Sequence, residues 1–393
     1  MKIKIINSGL IVMLLSGILF LNACGPVHNL LNSPKPWSGD SKLTSIMPKY
    51  DASKKTVFII ADNKLTELFD MMAPFYLFNA TEKANVYIVA KDKTPIFIKR
   101  NLYVGPQLSF HEVDSMQLQA DVIVIPALSK RDENQDTLLI NFIKKHFTSE
   151  TKMLTVCDGA STGAATGLYD GKLITTHASD YAGISPHFKN PKWVQNLSVA
   201  KSGNLYSTAG VSNAVEGSLS VIKVLYGNKT LQKLMSNINY PYSKIKLDHQ
   251  SIALKGNDKL AIVKKILFRK NKNIGLLLKN GINEFEMAVM LDTYSRTFPN
   301  SFKTYILNDT TVQTKYGLNL IYTGDSALKN LDELHVIMPE SLSTQDELLF
   351  KNTKIIRYDY PEKAYLFNIC FTRIGEQYGH QFEAFVKISL DYN

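Results

Sequence analysis

The chain has 393 residues, 45% of them hydrophobic and 20% charged, and a formal net charge of +10 at pH 7. Domains of roughly 100–200 residues bury a core of their own, so this length holds two and the composition excludes a mainly disordered chain. The surplus charge is mostly lysine and points to a polyanion or an anionic surface as neighbour.

At the N-terminus, Lys2 and Lys4 precede an apolar run from Ile5 to Leu21, broken only by Asn7, Ser8, Gly9, Ser16 and Gly17. That is the pattern of a secretory signal peptide. The run ends in Leu21-Asn22-Ala23-Cys24-Gly25, which resembles the lipobox of bacterial lipoproteins. Residues 1–23 are therefore expected to be a lipoprotein signal peptide and Cys24 the lipidated residue, held stably by two or more acyl chains. Residues 24–53, rich in Asn, Ser, Pro and Lys, read as a tether. The expected location is the cell envelope, on a lipid-anchored membrane facing the periplasm or the exterior. There, the cluster Lys264, Lys265, Arg269, Lys270 and Lys272 reads as a solvated surface near anionic headgroups rather than a nucleic-acid footprint.

Strand-like apolar runs follow at Thr56–Ile60, Val86–Val89 and Val122–Pro126, each leading into polar or helical sequence. The alternation predicts a parallel sheet with helices on its faces. Then comes Thr155-Val-Cys157-Asp158-Gly159-Ala160-Ser161-Thr162-Gly163. Met153–Val156 supplies a strand, Cys157 the turn residue, and Gly159 to Ala165 the small side chains that let a helix start close to a sheet. This is the layout of a nucleophile elbow. The N–H groups of the helix start are expected to favour a Cys157 thiolate, and the Asp158 amide to hold an oxyanion. Leu168-Tyr-Asp-Gly-Lys-Leu-Ile-Thr-Thr-His177 then reads as a helix stop, a glycine turn and a short strand ending in histidine.

The strand pattern returns as Asn273–Leu278, Thr304–Leu307 and Leu334–Pro339. Leu68-Phe69-Asp70-Met71 meets Glu284-Phe285-Glu286-Met287 at an offset of 216. The offset is 202 between Thr151 and Thr353 but 152 between Tyr226 and Tyr378, so the second copy lacks 50 residues that follow Cys157 in the first. On this alignment Asp359 takes the place of Cys157 and nothing matches His177. Cys370, followed by Phe-Thr-Arg and no turn glycine, reads as a helix-core thiol. Cys157 and Cys370 both sit in apolar contexts that suit buried thiols better than a disulfide.

The passage around Cys157 resembles the ThiJ/PfpI superfamily, most closely its isocyanide hydratases and the amidotransferase-like domains of AraC-type regulators. The residues that carry the resemblance are Cys157-Asp158-Gly159, Gly167-Leu168-Tyr169-Asp170-Gly171, Thr175-Thr176-His177, Ser207-Thr208-Ala209-Gly210-Val211, and Asp70 four before Pro74. The resemblance implies an α/β fold: a parallel-sheet three-layer sandwich of the class I glutamine amidotransferase-like, flavodoxin-like kind, here duplicated. It divides the chain into a ThiJ/PfpI domain at 54–245, a linker at 246–270 and a shortened degenerate repeat at 271–393. It also implies Cys157 as the reactive thiol, Asp70 as the acid beside it and His177 as acid/base or orienting group. Asp158 departs from the small residue usual after the cysteine, and a carboxylate there opposes thiolate unless it points away. No late His-x-Glu pair follows the elbow, which excludes glutamine hydrolysis.

Two functions fit. One is a cysteine-dependent hydrolase, hydratase or lyase acting on a small electrophile; the other is a non-catalytic ligand-binding or redox-sensing lipoprotein. His187, His249 and His380 show no metal-ligand spacing, so no metal and no cofactor are expected. The expected partners are a small-molecule substrate or ligand and the membrane through the lipid anchor. Nucleic acid is not among them, because no helix-turn-helix follows Leu225. The two repeats are expected to pair as an intrachain pseudo-dimer.

Overall fold

The computed structural model describes residues 37–39, 45–98, 102–307, 311–322, 330–338, 340, 342–358 and 364–393. The signal segment, Cys24 and Asp359 lie outside them. In chain order the strands are β1 (Lys55–Ala61), β2 (Ala84–Ala90), β3 (Ile96–Ile98), β4 (Leu102–Val104), β5 (Leu108–Ser109), β6 (Val122–Ile125), β7 (Lys152–Thr155), β8 (Leu173–Ile174), β9 (Lys192–Trp193), β10 (Val199–Ser202), β11 (Leu205–Thr208), β12 (Asn273–Leu278), β13 (Ser301–Ile306), β14 (Val312–Gln313), β15 (Asn319–Ile321), β16 (Glu333–Val336) and β17 (Lys354–Arg357).

The first sheet runs β10-β11-β7-β6-β1-β2-β5, parallel at every pairing except β10 against β11. Its central strands are near-continuous apolar runs because helices cover both faces. β1 shows the division: Val57, Ile59 and Ala61 enter one core, and Phe58 and Ile60 enter the other. The first core lies under helices Leu68–Ala80 and Ala214–Asn237, the second under Phe110–Ser115, Thr137–His146 and Gly159–Ala165. These are the three layers of a flavodoxin-like α/β fold. The helix from Ala214 turns at Gly227, whose φ of 78° only glycine adopts cheaply.

The second sheet, β13-β12-β16-β17, is parallel throughout. Its order repeats the β2-β1-β6-β7 centre of the first. Helices Leu68–Ala80 and Glu284–Ser295, each following the central strand of its own sheet, pack against one another, and one apolar core runs through both regions. A third sheet, β14-β15-β4-β3, joins a hairpin of the second region to one of the first, Leu320 opposite Val104 and Ile321 opposite Tyr103.

Within the stretch read as a linker, Gly256–Phe268 is helical and packs on helix His380–Ser389. Among the described residues no helix is long and apolar enough to cross a membrane.

Candidate functional site

Cys157 sits between β7 and helix Gly159–Ala165 with φ of +53°, a left-handed conformation that costs a residue with a side chain roughly 1–2 kcal/mol. The surrounding contacts hold it there. Its N–H donates to the Thr208 hydroxyl at 3.3 Å, and its carbonyl accepts from the Ala160 N–H and the Thr176 hydroxyl, each at 3.2 Å. The glycines are dictated by close approach: a Cβ on Gly159 would fall 2.1 Å from the Ile125 carbonyl oxygen, and one on Gly163 would fall 2.6 Å from the Thr155 methyl. The sharp strand-to-helix turn inferred from the small residues is therefore present.

The charge state differs from the sequence expectation. Cys157 is only 4% exposed, and burial, then the charges of Asp158, Asp70 and Asp180, push its thiol well above its ordinary pKa against the opposing pull of Arg131. The resting residue is a neutral thiol. The helix after it has seven residues, too short for its N–H groups to offset the loss of water. Asp158 turns away from the sulfur and pairs with Arg131 at 2.8 Å and the Thr176 hydroxyl at 2.9 Å, yet its charge still raises the thiol.

Asp70 lies on the first turn of helix Leu68–Ala80, fully buried. One carboxyl oxygen accepts the Ala127 N–H at 3.1 Å, and the other has no hydrogen-bond partner. Burial and the Glu67 charge raise its pKa well above the carboxylate range, with Asp292 and Asp158 adding to the shift and the Ala127 N–H opposing it. Asp70 is thus a neutral carboxylic acid. It is near enough for its charge to act on Cys157, although no hydrogen bond joins the two. A carboxylic acid and a thiol, both protonated and both buried, can give up protons but hold no anion at rest.

Residues 54–224 match the DJ-1/PfpI family. This segment is a DJ-1/PfpI domain. Its relatives include the isonitrile hydratase of Pseudomonas putida, 25% identical over 174 residues that span 44% of this chain and 72% of that protein. Similar solved structures include Drosophila melanogaster DJ-1beta, at 19% identity and a TM-score of 0.44, covering 48% of this chain and all of that one. A ThiJ/PfpI family protein from Pseudomonas syringae has 18% identity and a TM-score of 0.41 over 55% of this chain and 85% of its own.

His177, at the edge of the DJ-1/PfpI domain's site, does not hydrogen-bond Cys157. Its Nδ1 accepts from the Ser179 N–H at 3.1 Å and lies 3.6 Å from Asp180, and its Nε2 is buried without a partner. It borders Gly210, where a Cβ would fall 2.8 Å from the imidazole and 2.2 Å from Asp391.

The second region closes the site at two places. Arg296 pairs with Asp292 and lies 3.4 Å from Glu67, beside Asp70. The C-terminal turn packs on Gly210: Asp391 accepts from His249 at 3.0 Å and from the Ala178 N–H at 3.4 Å, and the Ser212 N–H donates to the Leu390 carbonyl at 3.0 Å. Thr208 stood within a quoted motif, whereas Arg131, Arg296, Asp292, Asp391 and His249 carry no local sequence signal. Among the described residues no group of His, Cys, Asp or Glu is placed to hold a metal. Cys370 is free and fully buried in helix Leu366–Tyr378, and Cys157 is also free.

Proposed function

We propose that the DJ-1/PfpI domain is a cysteine-dependent hydratase for a small neutral electrophile of the isonitrile class. The observation that carries this reading is the pairing of a buried neutral thiol on a strained turn with a buried neutral acid whose second oxygen is unpartnered. The hydratase relative supports the substrate class. An isonitrile carbon bears a lone pair and is activated by gaining a proton, so an acid is what it requires first.

Asp70 protonates that carbon. The Cys157 sulfur then bonds to it while the thiol proton returns to the Asp70 carboxylate, leaving a thioimidate. Water adds to the same carbon, the carbon–sulfur bond breaks, and the products are an N-substituted formamide and the free thiol. One water is consumed per turnover. The Asp158 N–H and the Arg131–Asp158 pair stabilise the charge that passes through the site. His177 borders the site and orients the Gly210 turn.

Residues 271–393 serve as a shortened second copy, docked on the first across a pseudo-two-fold axis. The repeated strand order and the reciprocal pairing of β4 with β15 support this. Cys24 anchors the chain to a membrane of the cell envelope through lipid.

The buried Cys157 and the C-terminal turn on Gly210 favour a second reading, a ligand-binding or redox-sensing protein without turnover. Incubating the full chain with a simple alkyl isonitrile and following the formamide proton by NMR separates the two. Product that disappears in Cys157→Ser and Asp70→Asn upholds the hydratase. No product from the wild type, with Cys157 still alkylated after denaturation, supports the second reading.

A further inference from the structure

Helix Gly256–Phe268 buries one side, Lys265 and Ile266, against the second region. Its other side carries Leu260, Val263 and Phe268, exposed at 50%, 49% and 68%. At 100° per residue Lys259, Leu260, Val263, Lys264 and Phe268 fall on one contiguous arc, with the half-buried Leu267 among them. The arc holds no acidic residue: Asp258 lies off it and accepts the Lys255 N–H at 2.7 Å as part of the helix cap. Arg269 and Lys270 continue the positive charge past the helix end. Lys259, Lys264 and Arg269 pair with no carboxylate among the described residues, while Lys270 reaches Asp332 at 2.5 Å.

Apolar side chains left in water beside unpaired cations are costly unless something covers them. We propose that this face is a membrane-surface site, with the helix lying in the plane of an anionic bilayer. Leu260, Val263 and Phe268 enter the boundary between headgroups and acyl chains, and Lys259, Lys264, Arg269 and Lys270 meet lipid phosphates. Charge complementarity selects the occupant. A nucleic acid would use the cations but leave three large aliphatic and aromatic side chains against a polar backbone, whereas a lipid surface uses both. The site is independent of Cys24 and of the chemistry at Cys157. It fixes which side of the protein faces the membrane.

The test uses the full chain with Cys24→Ser, so that lipidation plays no part, and one environment-sensitive dye placed at Val263→Cys or, as control, at Leu138→Cys, which is exposed in the first region. Vesicles of phosphatidylcholine alone are compared with vesicles containing phosphatidylglycerol. The Val263 dye is expected to shift to shorter wavelength and to resist an aqueous quencher only on the phosphatidylglycerol vesicles, an effect weakened by salt. The Leu138 dye stays unchanged. Adding Lys259→Glu, Lys264→Glu and Phe268→Ser abolishes the Val263 response while the thermal midpoint is retained. Equal shifts on both vesicle types, equal shifts of both dyes, a dye already shielded without vesicles, or shielding by nucleic acid instead of lipid would each overturn the proposal.

Discussion

Phe69 and Phe285, at the same step of two helices 216 residues apart, pack ring against ring at a centroid distance of 5.3 Å. Contact between equivalent residues is the mark of a two-fold relation. The β4–β15 pairing repeats it at an offset of 217: Val104 faces Leu320 as Tyr103 faces Ile321. Truncating either ring to alanine is expected to cost about 3–5 kcal/mol. The Phe69→Ala/Phe285→Ala double variant should show a coupling of about 0.5–1.5 kcal/mol in chemical unfolding. Strict additivity would mean that the two helices do not depend on each other.

Arg296 is the buried cation between Asp292 and Glu67. Arg296→Leu leaves two buried carboxylates without their counter-charge and should destabilise the protein by about 3–5 kcal/mol. Arg296→Met with Asp292→Leu removes charge of both signs and should cost clearly less. Thermal or urea unfolding of the two variants checks the order.

Asp70 supplies a pH signature. Its carboxyl has a pKa raised above the unfolded value of 3.8, so the folded state retains a proton that the unfolded state releases. The stability it contributes is fully present below pH 3.8 and is lost as pH rises through the folded pKa, at up to about 1.4 kcal/mol per pH unit. Asp70→Asn removes that decline, so it should gain stability over wild type between pH 5 and pH 8 and gain none near pH 3. Urea midpoints across that range decide the point, and parallel curves for the two proteins would count against a neutral Asp70.

Gly159→Ala should destabilise by about 1–3 kcal/mol, because the atom in the way is the Ile125 carbonyl oxygen, which the sheet holds fixed. Gly171→Ala probes a different cost. Nothing stands within 4 Å of its added methyl, but its φ of 69° penalises any side chain, so the loss should be smaller.

The parts of this structure readable in the sequence are those set by local sterics. Gly159 and Gly163 announce the elbow because the helix start touches β6 and β7, and apolar runs such as Asn273–Leu278 announce strands because both their faces are covered. The thiolate expected at Cys157 was misread: the seven-residue helix invites a favourable dipole, but the depth of the turn and three nearby carboxylates outweigh it. Arg296 and Asp391 reach the site from more than 200 residues away, beside Glu67 and Ala178, and no local pattern marks either. The helix Gly256–Phe268 was read as linker because its apolar residues face outward rather than into a core.

The most direct measurement is the pH dependence of Cys157 alkylation by iodoacetamide, followed by mass spectrometry of the full chain in wild type and Asp70→Asn. The account predicts a wild-type apparent pKa above the free-cysteine value of about 8.5, shifted down in Asp70→Asn as one opposing carboxylate disappears. An apparent pKa well below that value, unmoved by the substitution, would show a preformed thiolate and contradict the neutral thiol–acid pair on which the account rests.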